Sequence, residues 1–134
     1  MLKLGLIVLA SATVCFGQSL FGDKCTLWPI RGPEVSANKD CSYGNVWWDY
    51  PSGNLSVKFE QNGPSTSFEV CLSSEGAAYL IDGIYDESNG ANVPIPTEGS
   101  PSCVNSVDGK VILCFRASDT LYYMALMPYK ISHS

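Results

Sequence analysis

The chain has a single histidine, His133, one residue from its end. A Ser-His-Asp or Cys-His centre needs its base held within hydrogen-bond reach of the nucleophile, and a terminal position is a poor place to hold one. The sequence also lacks a glycine-rich phosphate loop, a paired-histidine metal motif and a nucleophile elbow. No cysteine pair has CxxC spacing, which leaves a Cys/His zinc site without support. There is no basic run, and 13 acidic residues outnumber 8 Lys and Arg, a balance that opposes nucleic acid and anionic lipid as partners. Beyond the first residues, no stretch is long and apolar enough to span a bilayer. No segment keeps a helical period between caps. These gaps point away from catalysis, cofactor or metal chemistry, nucleic acid and membrane insertion. They point towards a β-rich binding protein.

The first residues read as a processing signal. Lys3 supplies a positive charge, and Leu4 to Ala10 begin an apolar run that continues to Phe16. Its length suits a secretory signal peptide. Cleavage after Gly17 puts Cys15 and Gly17 at the small-residue positions and leaves Gln18 free to cyclise. A lipid on Cys15 is disfavoured by the bulk of Val14. Residues 18–134 then form one domain, long enough for a modest core. It keeps Cys25, Cys41, Cys71, Cys103 and Cys114. In an exported chain of this size cysteines usually form disulfides, and an odd number leaves one thiol over.

Strand signals dominate from Val46 onward. The run from Val46 to Tyr50 is β-prone and ends at Pro51, where Pro51-Ser52-Gly53-Asn54 reads as a turn. Leu55, Val57 and Phe59 alternate with Ser56, Lys58 and Glu60. Phe68, Val70 and Leu72 alternate with polar neighbours in the same way. This is the period of a strand with one dry face. Ala77 to Ile81 is a further strand candidate, joined to Ile84-Tyr85 by an Asp82-Gly83 turn. Residues 86–102 form a long loop with a short edge strand near Val93. Asp108-Gly109 between residues 104–107 and 110–116 is a hairpin signal. Leu121 to Met127 is a last strand, stopped by Pro128, and the tail after Tyr129 is expected to fray. With 8 prolines and 12 glycines as punctuation, the pattern predicts an all-β, two-sheet antiparallel β-sandwich. Phe21 to Lys39 reads as loop. A Cys25–Cys41 bridge would tether it, closing about sixteen residues for roughly 3 kcal/mol of stabilisation in the chain-entropy model.

The stretch Cys41-Ser-Tyr-Gly44-Asn-Val-Trp-Trp48-Asp-Tyr50-Pro51-Ser-Gly53-Asn-Leu55-Ser-Val57 resembles the N-terminal region of the meteorin family. There a Cys, a Gly, a Trp, then Tyr-Pro, Gly and Leu recur at this spacing. Phe68 to Leu72, Cys114-Phe115 and Leu121 to Pro128 resemble later parts of the same pattern. The resemblance implies a CUB-like, jelly-roll-like sandwich in a secreted factor that acts on receptors. The family's second, netrin-like domain has no counterpart before residue 134, so the resemblance speaks more to fold than to signalling. It also implies the pairs Cys25–Cys41 and Cys71–Cys114. The second would close about 43 residues, worth roughly 4 kcal/mol. Cys103 is then the spare thiol, in a position to link two copies into a homodimer. The alternative is Cys71–Cys103, with Cys114 a buried thiol within Val111–Phe115.

Trp47 and Trp48 point to opposite faces of a strand. Trp48 matches the family position and is assigned to the core. Trp47 is a candidate binding anchor, unless an N-terminal loop covers it. Tyr122 shares a face with Met124 and Leu126, while Tyr123 sides with Leu121, Ala125 and Met127. This makes the last strand apolar on both sides, as for a central or interface strand. Asn54-Leu55-Ser56 is an N-glycosylation sequon. Asp82, Asp86 and Glu87 are close in sequence. They are either solvated or a calcium or glycosidase-like pair, and no site is carried onto them. The expected function is extracellular binding of a protein or receptor. The alternative is a structural part of a matrix, biomineral or secretion, or a venom component on the same scaffold.

Overall fold

In a computed structural model, described here for residues 24–30, 32–62, 67–74, 81–118 and 124–133, the chain is built from strands. They are β1 (Thr26–Ile30), β2 (Glu34–Ser36), β3 (Tyr43–Asp49), β4 (Gly53–Glu60), β5 (Phe68–Leu72), β6 (Gly83–Asp86), β7 (Ala91–Val93), β8 (Ser102–Asn105), β9 (Lys110–Ala117) and β10 (Met124–His133). The signal-peptide segment 1–17, most of the candidate strand 77–81, and Tyr122 and Tyr123 lie outside the described residues. Among the described residues no helix is long and apolar enough to cross a membrane.

The strands form two five-stranded sheets. The front sheet has the order β1-β3-β10-β5-β8 and the back sheet the order β2-β4-β9-β6-β7. All pairings are antiparallel except two at the edges, where β1 runs parallel to β3 and β2 parallel to β4. Sequence periodicity shows which residues face inward but not strand direction, so the wholly antiparallel expectation is corrected at these edges.

Alternation builds the core. In β4 and β9 the inward residues meet as cross-strand pairs: Leu55 with Phe115, Val57 with Leu113, and Phe59 with Val111. All six are essentially inaccessible to solvent. Burying each such side chain contributes roughly 1.5–3 kcal/mol. Val46, Trp48, Val70, Leu72, Ala125, Met127 and Ile131 of the front sheet pack against them in one cluster. The Phe59 ring meets Tyr129 edge-on across the layers, with centroids 5.1 Å apart, a geometry favoured by the ring quadrupoles. Trp48 is inward, as expected, and Ala125 and Met127 share its side of the sandwich.

Four expectations are corrected. The segment read as loop from Phe21 to Lys39 contains β1 and β2. Each is too short to display a period, and β1 includes Pro29. The tail is not frayed: β10 continues to His133 and pairs with β5 from Tyr129 onward. Pro128 cannot donate, but its carbonyl accepts a hydrogen bond from the Ser73 N–H at 3.0 Å, so the strand passes through it. Asp82-Gly83 is not a turn. The Asp82 N–H bonds the Arg116 carbonyl at 2.7 Å and Gly83 pairs with Arg116, so the chain is already extended along β9. Asp108-Gly109 is a tight turn, with φ of 53° and 76° and reciprocal hydrogen bonds between Val107 and Lys110. It does not make a hairpin of β8 and β9, because β8 joins the front sheet and β9 the back.

The second disulfide is corrected as well. Cys25–Cys41 forms as expected, but Cys71 pairs with Cys103, and Cys114 is the free thiol. Cys71 and Cys103 are register partners on the adjacent strands β5 and β8 of the front sheet. Cys114 belongs to β9 of the back sheet, paired across from Ser56 and Tyr85. The pairing Cys71–Cys114 and a dimer through a Cys103 thiol are therefore excluded.

Both staples sit on the front sheet. Near the first, a methyl at Gly44 would overlap the Cys25 carbonyl and crowd the Tyr129 hydroxyl. The Tyr129 hydroxyl donates to the Cys25 carbonyl at 2.8 Å. Glycine at this point of the Cys41–Trp48 stretch is thus required by the close approach of β1.

Candidate functional site

Each sheet has one face turned to solvent, and the two faces differ in chemistry. On the front sheet the outward residues of β3 and β10 form a row of cross-strand pairs. Tyr43 stands opposite Lys130, Asn45 opposite Pro128, Trp47 opposite Leu126, and Asp49 opposite Met124. Tyr43 is 73% exposed. Trp47, Leu126, Met124 and Pro128 are half-buried. The centre of this face is apolar and aromatic, with charge only at its ends.

Trp47 thus lies where the sequence placed a candidate anchor, facing away from the core, though only half-exposed. Tyr122, the other aromatic expected here, lies outside the described residues. Sequence reasoning missed Tyr43 because it began the strand at Val46. The signal was there: positions 43, 45, 47 and 49 share one face at period two.

The outward face of the back sheet carries a groove of about 520 Å³. Asn54 of β4, Arg116 and Cys114 of β9, and Tyr85 of β6 border it, with Glu87 and Asn92 completing the rim. Tyr85 is 43% exposed. Burial pushes the Cys114 thiol above its ordinary pKa; the Glu87 carboxylate adds to this and the Arg116 guanidinium opposes it. A raised pKa keeps the sulfur protonated and a weak nucleophile near neutral pH. Asn54 is exposed, as a glycan acceptor must be.

The acidic group Asp82, Asp86 and Glu87 is not brought together. Asp86 is buried, and its carboxylate accepts from the Ser88 and Asn89 N–H groups at 3.0 and 3.2 Å and from the Asn89 amide. It fixes the turn between β6 and β7. Asp82 pairs with the Ser118 hydroxyl, and Glu87 faces the back groove. Among the described residues, the one close grouping of potential metal-ligating atoms is Glu69, Cys71 and Cys103. Its two sulfurs are joined to each other, so neither is a thiolate ligand. His133 is held in place rather than loose: its ring nitrogen meets Gln61 Oε1 at 3.1 Å, and its ring lies 6.2 Å from that of Phe68.

The arrangement therefore offers two kinds of chemistry. The front face can bury apolar and aromatic area against a partner. The back groove can hydrogen-bond a polar, uncharged ligand around a single ring. No family model matches the chain, and no curated protein is significantly similar to it.

Proposed function

We propose that this chain is a secreted, non-enzymatic binding module that engages an extracellular protein or receptor through the outer face of its front sheet. The row Tyr43, Trp47, Leu126 and Met124 carries this reading. Aromatic side chains dominate the energetics of protein interfaces because they bury much area with few rotatable bonds. Two disulfides on the same sheet hold that row on a fixed frame, and a pre-ordered surface loses less entropy on docking. Secretion is supported by the leader-like start and by disulfides, which persist in oxidising compartments. The meteorin-like pattern from Cys41 to Val57 supports the same reading.

The test is binding of the mature chain to cell-surface and extracellular proteins, with substitutions on each face. Tyr43→Ser and Leu126→Ser should each weaken binding by about 2 kcal/mol, roughly 30-fold, as for anchoring side chains of an interface. Ile112→Ser, on the back face, should leave it unchanged. Binding that survives both front-face changes and falls with Ile112→Ser would contradict the proposal. So would recovery of the protein only as an insoluble matrix constituent.

A further inference from the structure

We propose that the N-glycan carried by Asn54 folds back into the back-sheet groove, laying its first N-acetylglucosamine ring on Tyr85 and closing over the Cys114 thiol. The inference rests on the secretory route of the proposed function but concerns the opposite face of the molecule.

The sequon lies on a strand in the one phase that suits it. Leu55 is fully buried in the core, while Asn54 and Ser56, two residues apart, both face outward. The acceptor amide and the hydroxyl that completes the sequon thus stand on the same accessible surface. In the modification the Asn54 amide nitrogen displaces the diphosphate of a lipid-linked oligosaccharide donor at the sugar's C1. The C1–N bond forms, the C1–O bond breaks, and the lipid diphosphate and an amide proton leave.

The sugar's root is then beside the groove, because Asn54 is one of its walls. Asn54 pairs with Arg116, and Ser56 pairs with Cys114. Cys114 is therefore the diagonal neighbour of Asn54, a relation that spans roughly 7–8 Å on a sheet. This is about the reach of one hexose ring. Tyr85 stands across from Cys114 on the third strand. Gly83, which pairs with Arg116, has no side chain, and the Arg116 guanidinium lies over it, 3.4 Å from where a Cβ would stand. A sugar rooted on Asn54 therefore meets the Arg116 donors on its way towards Tyr85.

The chemistry of the walls fits a neutral sugar. Tyr85 offers a partly exposed ring for the C–H face of the pyranose. Arg116 offers donors for the N-acetyl carbonyl, and Glu87 and Asn92 offer acceptors for hydroxyls. One cation and one anion together leave no net field that would select a charged ligand. The volume of about 520 Å³ falls within the range of small-ligand sites. The consequence is that the chain's own glycan covers the spare thiol and keeps an exported protein with an odd cysteine from cross-linking.

Cys114 is also the reporter. The mature chain is secreted from mammalian cells, and alkylation of Cys114 by a maleimide is timed by mass spectrometry. Glycosylated protein is compared with the unglycosylated variants Asn54→Gln and Ser56→Ala, either of which serves if the other folds poorly. Alkylation is expected to be at least about tenfold slower with the glycan present, equivalent to about 1.4 kcal/mol of contact. With Tyr85→Ala introduced into both the glycosylated chain and the Ser56→Ala background, the ratio of the two alkylation rates should fall towards one, because the ring that holds the sugar is gone whatever its removal does to the bare thiol. An unmodified Asn54 in the secreted protein would overturn the inference and leave secretion standing. Equal alkylation rates with and without glycan would overturn it, as would protection that Tyr85→Ala does not reduce. Front-face binding, measured in the same samples, is expected to be indifferent to all of these changes.

Discussion

The front and back sheets have the same number of strands but are closed differently. The front sheet carries both disulfides, one at the start of β1 and one between β5 and β8. It also holds the tight junction of Gly44, Cys25 and Tyr129. The back sheet has edge strands of only three residues, β2 and β7. It is held by its ladders and by the deepest part of the core, and it carries a thiol left unoxidised. Covalent closure goes with the sheet whose outer face is apolar and aromatic, and an open groove goes with the sheet that has no staple. The difference suggests a division of labour, with a rigid face for a partner and a polar face left to the chain's own modification.

One of the two largest expected effects tests the front junction. Gly44→Ala should destabilise by roughly 3 kcal/mol, because the added methyl meets backbone that has no room to move. Thermal unfolding measures it, and a loss below about 1 kcal/mol would mean that β1 is not held where described. Removing the second staple by Cys71→Ala with Cys103→Ala should cost roughly 3–4 kcal/mol. Amide exchange should then rise first in β5 and β8. Equal and simultaneous loss of protection in β4 and β9 would erase the contrast between the sheets. Tyr129→Phe removes the hydrogen bond to the Cys25 carbonyl but keeps the ring against Phe59, and should cost about 1 kcal/mol. Cys114→Ser should be the mildest, within about 0.5 kcal/mol at neutral pH.

Cys114 also gives a pH dependence of known sign. Its folded pKa is raised above the unfolded value, taken as 9.0. The contribution is complete below that value and fades as pH rises through the folded pKa. Stability of the wild-type chain should therefore fall more steeply above pH 9 than that of Cys114→Ser. Parallel curves in alkali would show that the thiol is as solvated as in the unfolded chain.

Much of the strand content was legible because period two is local. Leu55, Val57 and Phe59, or Phe68, Val70 and Leu72, announce a dry face without any knowledge of the partner strand. Pairing was not legible, because consecutive strands mostly alternate between the sheets. The Asp108-Gly109 turn was read correctly and its pairing wrongly for this reason: tight-turn chemistry is set by two residues, whereas the Ser106 N–H bonds the Phe68 carbonyl, far back in the chain. The Cys25–Cys41 bridge was legible, but the preferred partner of Cys71 was wrong for the same reason. Cys71 and Cys103 become neighbours only once β5 and β8 are aligned. Asn54 was visible as a sequon, but the groove beside it needed three strands to exist. Tyr43 and Tyr85 were missed because an exposed aromatic is an ordinary residue until its neighbours across the sheet are known.

A disulfide map of the secreted protein is the most direct measurement of the difference between the sheets. Digestion without reduction, after alkylation of unfolded protein, should yield peptides joining Cys25 to Cys41 and Cys71 to Cys103, with Cys114 alkylated. A peptide joining Cys71 to Cys114, with the label on Cys103, would tie the two layers together and contradict the account.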